Sequence, residues 1–395
     1  MDRTVVGRII KNAVIFSRLR EHPLIVSLAE LMALPLQDKE RAYSLCCDIA
    51  RELYPDNSCL TDKVFELISV DDNLYIKNLS KGDELPNAVK KQAAVELEAL
   101  AQAAACSSEY IVRLFGLPSP VPCWTAEKRD FAVEYAARCE RASVMGWGEF
   151  ARFGVFSLTE SGELVPVRNP DSQRLSGLFG YNRERSLVLR NTQALLEGKP
   201  ASNMLLYGDA GTGKSSTVKA VANELRDRGL RLIQAQKGHL HHIPALLDSL
   251  ADNPLKFIIF IDDLSFESND RDFTALKTIL EGSVAAKAPN TAIYATSNRR
   301  HLIRESMEAR RGDEVHLRDT LEESASLAAR FGLVVTFTRP DRDDYRELVL
   351  GLAKACGLKY LQEEALITEA EAWAIRAGGR TPRAAKQFVE YKLSE

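Results

Sequence analysis

The sequence predicts an α/β protein in which a parallel five-stranded sheet carries helices on both faces. Two observations predict this class. From residue 203 onward, short and continuously apolar segments alternate with segments of helical periodicity, which is the pattern of strands buried on both faces of a parallel sheet. The chain on either side, residues 1 to about 145 and 341–395, has apolar residues at helical spacing. It predicts a mainly helical N-terminal domain and a small helical C-terminal lid.

Composition and charge are those of an ordinary globular protein. Of the 395 residues, 45% are hydrophobic and 27% are charged, and the formal net charge is −3, so no overall basic field indicates nucleic acid binding. The seven cysteines contain no CxxC pair, which favours reduced thiols over a metal framework. Charges interrupt the N-terminal apolar residues, and no apolar run approaches the roughly 18 residues of a membrane span. We therefore expect a cytoplasmic protein without a membrane span.

Four segments follow one another along the chain. We assign residues 1–147 to the N-terminal mainly helical domain, 148–170 to a β-hairpin linker, 171–340 to the α/β core and 341–395 to the lid. The hairpin is predicted because EFARFGVFSL and LVPVR flank the turn TESGE. The strands of the core are predicted at 203–207, 230–235, 257–261, 291–296 and 333–337.

The stretch NMLLYGDAGTGKSS joins the first core strand to a helix through a glycine-rich turn. It fits the pattern G-x-x-x-x-G-K-[ST], in which backbone N–H groups curl around a phosphate and a helix N-terminus adds positive charge. Lys214 would reach the β- and γ-phosphates of a nucleotide, and the Ser215 hydroxyl would bind Mg²⁺. The alternative is a glycine turn before an ordinary helix. The predicted phosphate-binding residues are Gly208, Asp209, Ala210, Gly211, Thr212, Gly213, Lys214, Ser215 and Ser216.

Two aspartates end the apolar segment FIIFIDDLSF. A carboxylate at a strand tip beside a phosphate loop can hold Mg²⁺ through its water shell, and Asp262 fits that role. Asp263 stands where a second acid could orient or deprotonate an attacking water. A solvated acidic turn is the alternative for both residues.

Three further polar residues stand at the ends of predicted elements. Asn298 comes just after a strand, where a neutral amide could hydrogen-bond a γ-phosphate or the attacking water, although Asn after a strand is also ordinary turn chemistry. Arg330 precedes the last strand, and Arg383 lies near the start of a lid helix. Each arginine could equally be a surface charge.

The order of these features resembles that of the AAA+ ATPases, which are P-loop NTPases. A phosphate loop, a strand-tip Asp pair, a strand-tip Asn, an Arg before the fifth strand and a helical lid that opens with an Arg occur in that order. The stretches LFGYNRERSLVLRNTQALLEGKPASNMLLYGDAGTGKSS, FIIFIDDLSF, IYATSNRRHLI and SLAARFGL are similar to a bacterial AAA+ family filed under a domain of unknown function. The resemblance covers roughly residues 150–390, and the helical N-terminal part is similar to that family's as well.

The resemblance implies ATP and Mg²⁺ as ligands and assigns roles at the phosphate loop. Lys214 and Ser215 would be the Walker A lysine and Mg²⁺ ligand. Asp262 would be the Walker B aspartate that contributes to the Mg²⁺ site, and Asp263 the catalytic acid. Asn298 would be the sensor 1 residue.

The resemblance also implies an assembly. Arg330 would be an arginine finger that reaches the γ-phosphate held by a neighbouring subunit, so a homo-oligomeric ring or spiral would be the active form. Arg383 would be the sensor 2 residue, which contacts the nucleotide within its own subunit. Gly180 and Tyr181 lie in the stretch that lines the adenine pocket of such proteins.

One departure from the family pattern affects the expected activity. Most AAA+ proteins have Asp-Glu at the Walker B tip, whereas this chain has Asp262-Asp263, so the second carboxylate is one methylene shorter and slow hydrolysis is expected. Two functions remain: an ATPase that remodels or loads a protein or nucleic-acid client, and a nucleotide-gated assembly or binding module in which hydrolysis only resets the state. A small-molecule kinase is disfavoured because the Asn, the Arg before the strand and the lid are superfluous for that chemistry.

Two other stretches have competing interpretations. The segment 299–324 carries Arg299, Arg300, Arg304, Arg310 and Arg311 and could face a substrate or nucleic acid, but a solvated surface connection is favoured. HLHH contains His239, His241 and His242 and invites a metal-binding interpretation. A metal site is disfavoured, since no cysteine or carboxylate is spaced nearby to complete it.

Overall fold

The structure is a computed structural model that describes residues 1–56, 59–267, 271–281, 289–298, 303–304, 327–360 and 362–395. The chain divides into two compact units, Met1–Arg152 and Phe153–Glu395. Within the described residues, no helix combines the length and the apolar character that crossing a membrane requires. Arg299, Arg300, Arg310 and Arg311 of the charged connection lie outside the described residues.

The N-terminal unit is helical. One apolar core joins its helices, and it includes fully buried aromatic residues such as Phe16, Phe131 and Tyr135. Glu96 is also buried in this unit, where its carboxylate accepts hydrogen bonds from the N–H groups of Val14, Ile15 and Phe16. The helices are α1 (Arg3–Lys11), α2 (Pro23–Ala33), α3 (Lys39–Leu53), α4 (Leu60–Val70), α5 (Leu74–Lys81), α6 (Asn87–Ala104), α7 (Ser108–Phe115), α8 (Phe131–Glu140), α9 (Ala142–Met145) and α10 (Glu149–Arg152).

The second unit contains a mostly parallel sheet of seven strands in the order β2-β1-β4-β5-β7-β3-β9, with β6 and β8 forming a separate parallel pair. The strands are β1 (Val155–Leu158), β2 (Leu164–Pro166), β3 (Met204–Gly208), β4 (Leu230–Ala235), β5 (Lys256–Ile261), β6 (Phe266–Glu267), β7 (Thr291–Ser297), β8 (Ile303–Arg304) and β9 (Leu333–Phe337). The five predicted core strands are therefore present as β3, β4, β5, β7 and β9, each within one residue of its expected start and end.

Both faces of this sheet are covered, as predicted. Alternate residues of a strand point to opposite faces, yet Phe257 to Ile261 of β5 are all fully buried. Helices α11 (Asn182–Leu196) and α12 (Lys214–Leu225) share one apolar cluster with the face that includes Ile258 and Phe260. Two further helices of this unit are α13 (Ile243–Leu250) and α14 (Arg271–Glu281).

The predicted hairpin forms, but it is part of the sheet and not a linker. β1 pairs antiparallel with β2 and parallel with β4, where Phe156 lies beside Ile233. Phe156 and Leu158 are 1% exposed, so their burial stabilises the docked hairpin. β1 also satisfies the backbone groups that β4 would otherwise leave unpaired at the edge of the sheet. Over the described residues, the sheet therefore has two strands more than the five predicted.

The lid consists of α15 (Arg342–Ala355), α16 (Glu363–Arg376) and α17 (Pro382–Ser394). These helices pack around their own apolar cluster, which includes Tyr345 and Phe388. Sequence chemistry sets where two of them begin. Asp341 accepts a hydrogen bond from the N–H of Asp344, and Thr381 accepts one from the N–H of Ala384, which are N-cap interactions.

Candidate functional site

The glycine-rich turn lies between the end of β3 and the start of α12. Gly208, Gly211 and Gly213 have φ angles of 140°, 79° and 90°, which residues with a Cβ rarely adopt. At Gly208 the close approach of β9 adds a second requirement, because an added Cβ would lie 2.0 Å from the carbonyl oxygen of Phe337. The turn therefore needs glycine for both conformation and space.

Lys214 is the first residue of α12 and lies in the middle of the site. Its ammonium donates to the carbonyl oxygens of Gly208 and Asp209 at 2.9 and 2.8 Å and to Oδ1 of Asn298 at 2.9 Å. Burial lowers the pKa of Lys214, and neighbouring carboxylates, Asp209 first, oppose this shift. All three donors of the ammonium are engaged, and phosphate oxygens would replace some of these acceptors.

Asp262 follows β5 and faces the start of α12. Its Oδ1 atom accepts hydrogen bonds from the hydroxyls of Ser215 and Thr296, both at 2.6 Å. Ser215 and Asp262 were expected to meet, but Thr296 was not predicted from the sequence. Its signal lay in strand register, since Ile261 pairs with Ala295 in the parallel ladder of β5 and β7, so the next residue on each strand lies at the same edge.

Asp263 and Asn298 are joined directly. Nδ2 of Asn298 donates to Oδ1 of Asp263 at 2.7 Å, so a single amide bridges Lys214 and Asp263. Asp263 has a φ angle of 54°, in the left-handed region, and its N–H donates to the Thr296 hydroxyl at 2.9 Å. This strained backbone directs the two successive carboxylates to different partners.

The lid contacts the phosphate loop through the start of α17. The N–H of Arg383 donates to the carbonyl oxygen of Gly211 at 3.2 Å, and the side chain of Arg383 lines the same cleft as Lys214. Pro382, at the first turn of α17, lines it as well. A nucleotide in this cleft would therefore contact both the sheet edge and the lid.

The cleft has a volume of about 740 Å³ and two chemically different ends. The phosphate loop, Asp262, Asp263 and Asn298 line one end. Apolar residues from the segment before α11 and from α15 line the other, and these are Leu178, Phe179, Leu348, Leu352 and Ala355. A polar end with a lysine and an apolar end of this kind match the phosphate and nucleoside parts of a nucleotide.

Gly180 and Tyr181, which were predicted to lie in the stretch that lines an adenine pocket, directly follow two residues that line the cleft. Gly180 and Tyr181 are not among the lining residues, whereas the two residues before them are. The Tyr181 hydroxyl donates to the carbonyl oxygen of Thr338 at 2.6 Å, and its ring lies 5.2 Å from that of Phe337. Gly180 and Tyr181 both have positive φ angles, so the chain turns directly after Leu178 and Phe179.

Arg330 and the histidines lie away from this site. Arg330 ends a helical turn at 327–330 before β9, and the lining of the cleft does not include it. The His239 and His242 rings contact the carbonyl oxygens of Leu158 and Glu160, both at 2.9 Å, so they attach the hairpin to the 3₁₀ helix Lys237–His242. Over the described ranges, no three or more His, Cys, Asp or Glu residues are grouped to hold a metal ion.

The oxygen atoms of Ser215 and Asp262 fit Mg²⁺. Mg²⁺ prefers oxygen ligands, retains several waters and takes only one or two protein ligands where nucleotide phosphates complete the shell. The Ser215 hydroxyl and the Asp262 carboxylate lie 2.6 Å apart beside the phosphate loop, which matches that small protein contribution. These two residues would hold the ion, directly or through water.

The chain was compared with curated proteins, with solved structures and with protein-family models. A search of curated proteins finds no match to this chain. Among solved structures, three variants of Thermotoga maritima RuvB are similar, two with 18% identity and a TM-score of 0.37 and one with 20% identity and a TM-score of 0.36. They cover 55% of this chain, which spans only 63%, 63% and 64% of the RuvB chains.

In the second unit, the phosphate-loop strand β3 lies between β7 and β9, and a helical lid follows β9. A family model described as "Protein of unknown function (DUF815)" matches residues 151–395, more than half of the chain. The match includes the phosphate loop, the sheet and the lid, and the chain belongs to the DUF815 family.

Proposed function

We propose that this chain is a Mg²⁺-dependent ATP-binding AAA+ protein that hydrolyses ATP to ADP and phosphate. The observation that carries the proposal is the amide of Asn298, which bridges the Lys214 ammonium and the Asp263 carboxylate at 2.9 and 2.7 Å. A cation for phosphates, an amide sensor and an acid that could orient water are thereby held at one edge of one sheet. Their arrangement supports phosphoryl transfer to water.

Phosphoryl transfer depends mainly on positioning and on charge neutralisation in a site with little water. Lys214 would turn its ammonium from backbone carbonyl oxygens to the β- and γ-phosphates. Asn298 would then be released from Lys214 and could contact the γ-phosphate, while Asp263 would hold the attacking water. Mg²⁺, when bound by Ser215 and Asp262, would neutralise charge on the β- and γ-phosphates.

Arg330 is proposed to act on the nucleotide of a neighbouring subunit. Loss of an arginine finger costs about 10³- to 10⁵-fold in rate where the residue has been removed, so an isolated subunit would be nearly inactive. The active form is then a ring or spiral with head-to-tail contacts. Arg383, which lines the cleft from the lid, would couple the nucleotide state to the lid angle, and this movement would remodel or load a protein or nucleic-acid client.

The test is ATP hydrolysis against protein concentration, for wild type, Arg330→Ala, Lys214→Ala and an equal mixture of the two variants. We expect specific activity to rise with concentration and each variant alone to be inactive. The mixture should recover part of the activity, because a subunit with Lys214 would receive Arg330 from its neighbour. Activity that is independent of concentration and retained by both single variants would refute the shared site.

A second candidate function is a nucleotide-gated assembly or binding module with slow turnover. It is favoured by the short carboxylate of Asp263, which the amide of Asn298 already engages. In this case ATP binding, and not each turnover, would set the assembly state. Sedimentation in ATP and in ADP, alongside turnover with and without DNA, separates the two functions.

A further inference from the structure

A buried cation without a counter-ion lies at the nucleoside end of the cleft. Arg185, in the first turns of α11, is 7% exposed and lines the cleft. One terminal nitrogen, Nη2, donates to the carbonyl oxygen of Phe179 at 2.8 Å. Its Nε atom is buried and has no hydrogen-bond partner, and no carboxylate forms an ion pair with Arg185 within the part of the chain that the structure describes.

This arrangement is unfavourable for the protein alone. Burying a charge is costly unless it is paired, and burial lowers the pKa of Arg185 to about 10, which still leaves it charged at pH 7. The N-terminus of α11 also carries a partial positive charge, so the helix does not compensate the cation. Buried polar groups without partners require a reason, and a ligand with hydrogen-bond acceptors would supply one.

The position of Arg185 indicates which part of a ligand it meets. Its partner Phe179 lines the apolar end of the cleft with Leu348 and Leu352, whereas Lys214 lies at the phosphate end. A nucleotide with its phosphates on the loop would therefore present its base, and not its phosphates, to Arg185. The base would meet a hydrogen-bond donor, the Arg185 guanidinium, beside a hydrogen-bond acceptor, the Phe179 carbonyl oxygen. These two groups are 2.8 Å apart.

We propose that Arg185 and the main-chain oxygen of Phe179 together recognise the amino-substituted edge of adenine and select it against guanine. The guanidinium donates to a ring nitrogen next to the N6 amino group, either N7 or N1, and the carbonyl oxygen accepts from N6. Guanine has the acceptor O6 where adenine has the donor N6, so its oxygen would face the carbonyl oxygen. This inference rests on the proposed ATP-binding function and adds the two groups that would select adenine in this site.

The first test needs no variant of the protein. Binding of ADP, 7-deaza-ADP, 1-deaza-ADP and GDP to the full chain is measured by calorimetry. We expect GDP and one of the two deaza analogues to bind on the order of 10- to 100-fold more weakly than ADP, the loss for a hydrogen bond to a charged donor. Equal binding of all four nucleotides would overturn the proposal.

The second test assigns the effect to Arg185. Arg185→Met keeps the length of the side chain and removes its donors. We expect it to weaken ADP binding and to remove the difference between ADP and the sensitive deaza analogue. The matched control is Arg183→Met, on the same turn of α11, where the arginine is exposed and does not line the cleft. Arg183→Met should leave the affinities for ADP and for the sensitive deaza analogue unchanged.

The outcomes separate this proposal from the proposed function. Suppose that Lys214→Ala abolishes ADP binding, but that the wild type binds ADP and its analogues with equal affinity. This result would overturn base recognition by Arg185 and would leave the ATPase proposal standing. A wild-type chain that binds no nucleotide would overturn both. If Arg185→Met weakens all four nucleotides by the same factor, Arg185 only supports the turn at Phe179, and the proposal is wrong.

Discussion

Gly208→Ala tests whether the close contact between the phosphate loop and β9 holds this part of the sheet together. Gly208 pairs with Phe337 at the end of the β3–β9 ladder. An added Cβ would lie 2.0, 2.7 and 3.0 Å from the oxygen, carbon and nitrogen of Phe337. These are backbone atoms, so no side-chain rotation relieves the contact. Either β9 moves away or the loop changes conformation.

The magnitude follows from two contributions. A residue with a Cβ at a φ angle of 140° costs about 1–3 kcal/mol in backbone strain, and overpacking adds about 1–3 kcal/mol. The matched control is Gly198→Ala, where φ is 68° but nothing lies within 4 Å of the added Cβ. That variant carries only the cost of the left-handed conformation, about 1–2 kcal/mol.

Thermal unfolding and amide hydrogen exchange measure the difference. The melting temperature of Gly208→Ala should lie roughly 3–15 °C below that of Gly198→Ala, since a unit of this size loses about 2–4 °C per kcal/mol of stability. Exchange in β9, Leu333–Phe337, should be faster in Gly208→Ala alone. If the two variants melt together and β9 stays equally protected, the contact with Phe337 does not stabilise the sheet.

Three further predictions concern single carboxylates. Asp263→Glu should raise ATP turnover, because the longer side chain brings its carboxylate closer to the attacking water; unchanged or lost turnover would contradict the role of Asp263. Burial raises the pKa of Asp71 from 3.8 to about 6. Above pH 6 the ionised Asp71 therefore lowers the free energy of unfolding by up to about 3 kcal/mol, and below pH 4 this cost is absent. Between pH 4 and 7, the melting temperature of Asp71→Asn should therefore fall less than that of the wild type. Parallel curves of melting temperature against pH would refute this prediction. Glu96→Ala leaves three backbone N–H groups without their acceptor and should lower the free energy of unfolding in urea by about 3–6 kcal/mol. Glu96→Gln keeps one acceptor oxygen and should lower it less. Equal losses in the two variants would exclude the hydrogen bonds as the cause.

Local patterns were sufficient for much of the α/β unit. The five core strands could be predicted because each is a continuous apolar run, and a strand buried on both faces tolerates few polar residues. The phosphate loop could be predicted because its chemistry is contained in consecutive residues, Gly208 to Ser215. The helices of the lid were also expected, since the spacing of their apolar residues is a local feature.

Contacts between residues that are distant along the chain could not be predicted from such local patterns. Thr296 reaches Asp262 only because β5 and β7 pair in one register. The hairpin was expected between two domains, yet β1 joins the edge of the sheet beside β4. Gly180 and Tyr181 were expected in the stretch that lines an adenine pocket, and the lining of the cleft includes their neighbours Leu178 and Phe179.

The sequence by itself determined the class of the fold and the residues of the phosphate loop, because periodicity and glycine content act over a few neighbouring residues. Only the tertiary structure decided which side chains share a partner. Asn298 bridges Lys214 and Asp263, and Arg185 is buried beside Phe179 with no ion-pair partner among the residues that the structure describes. Such pairings depend on strand order, register and turn geometry, which bring together atoms that are far apart along the chain.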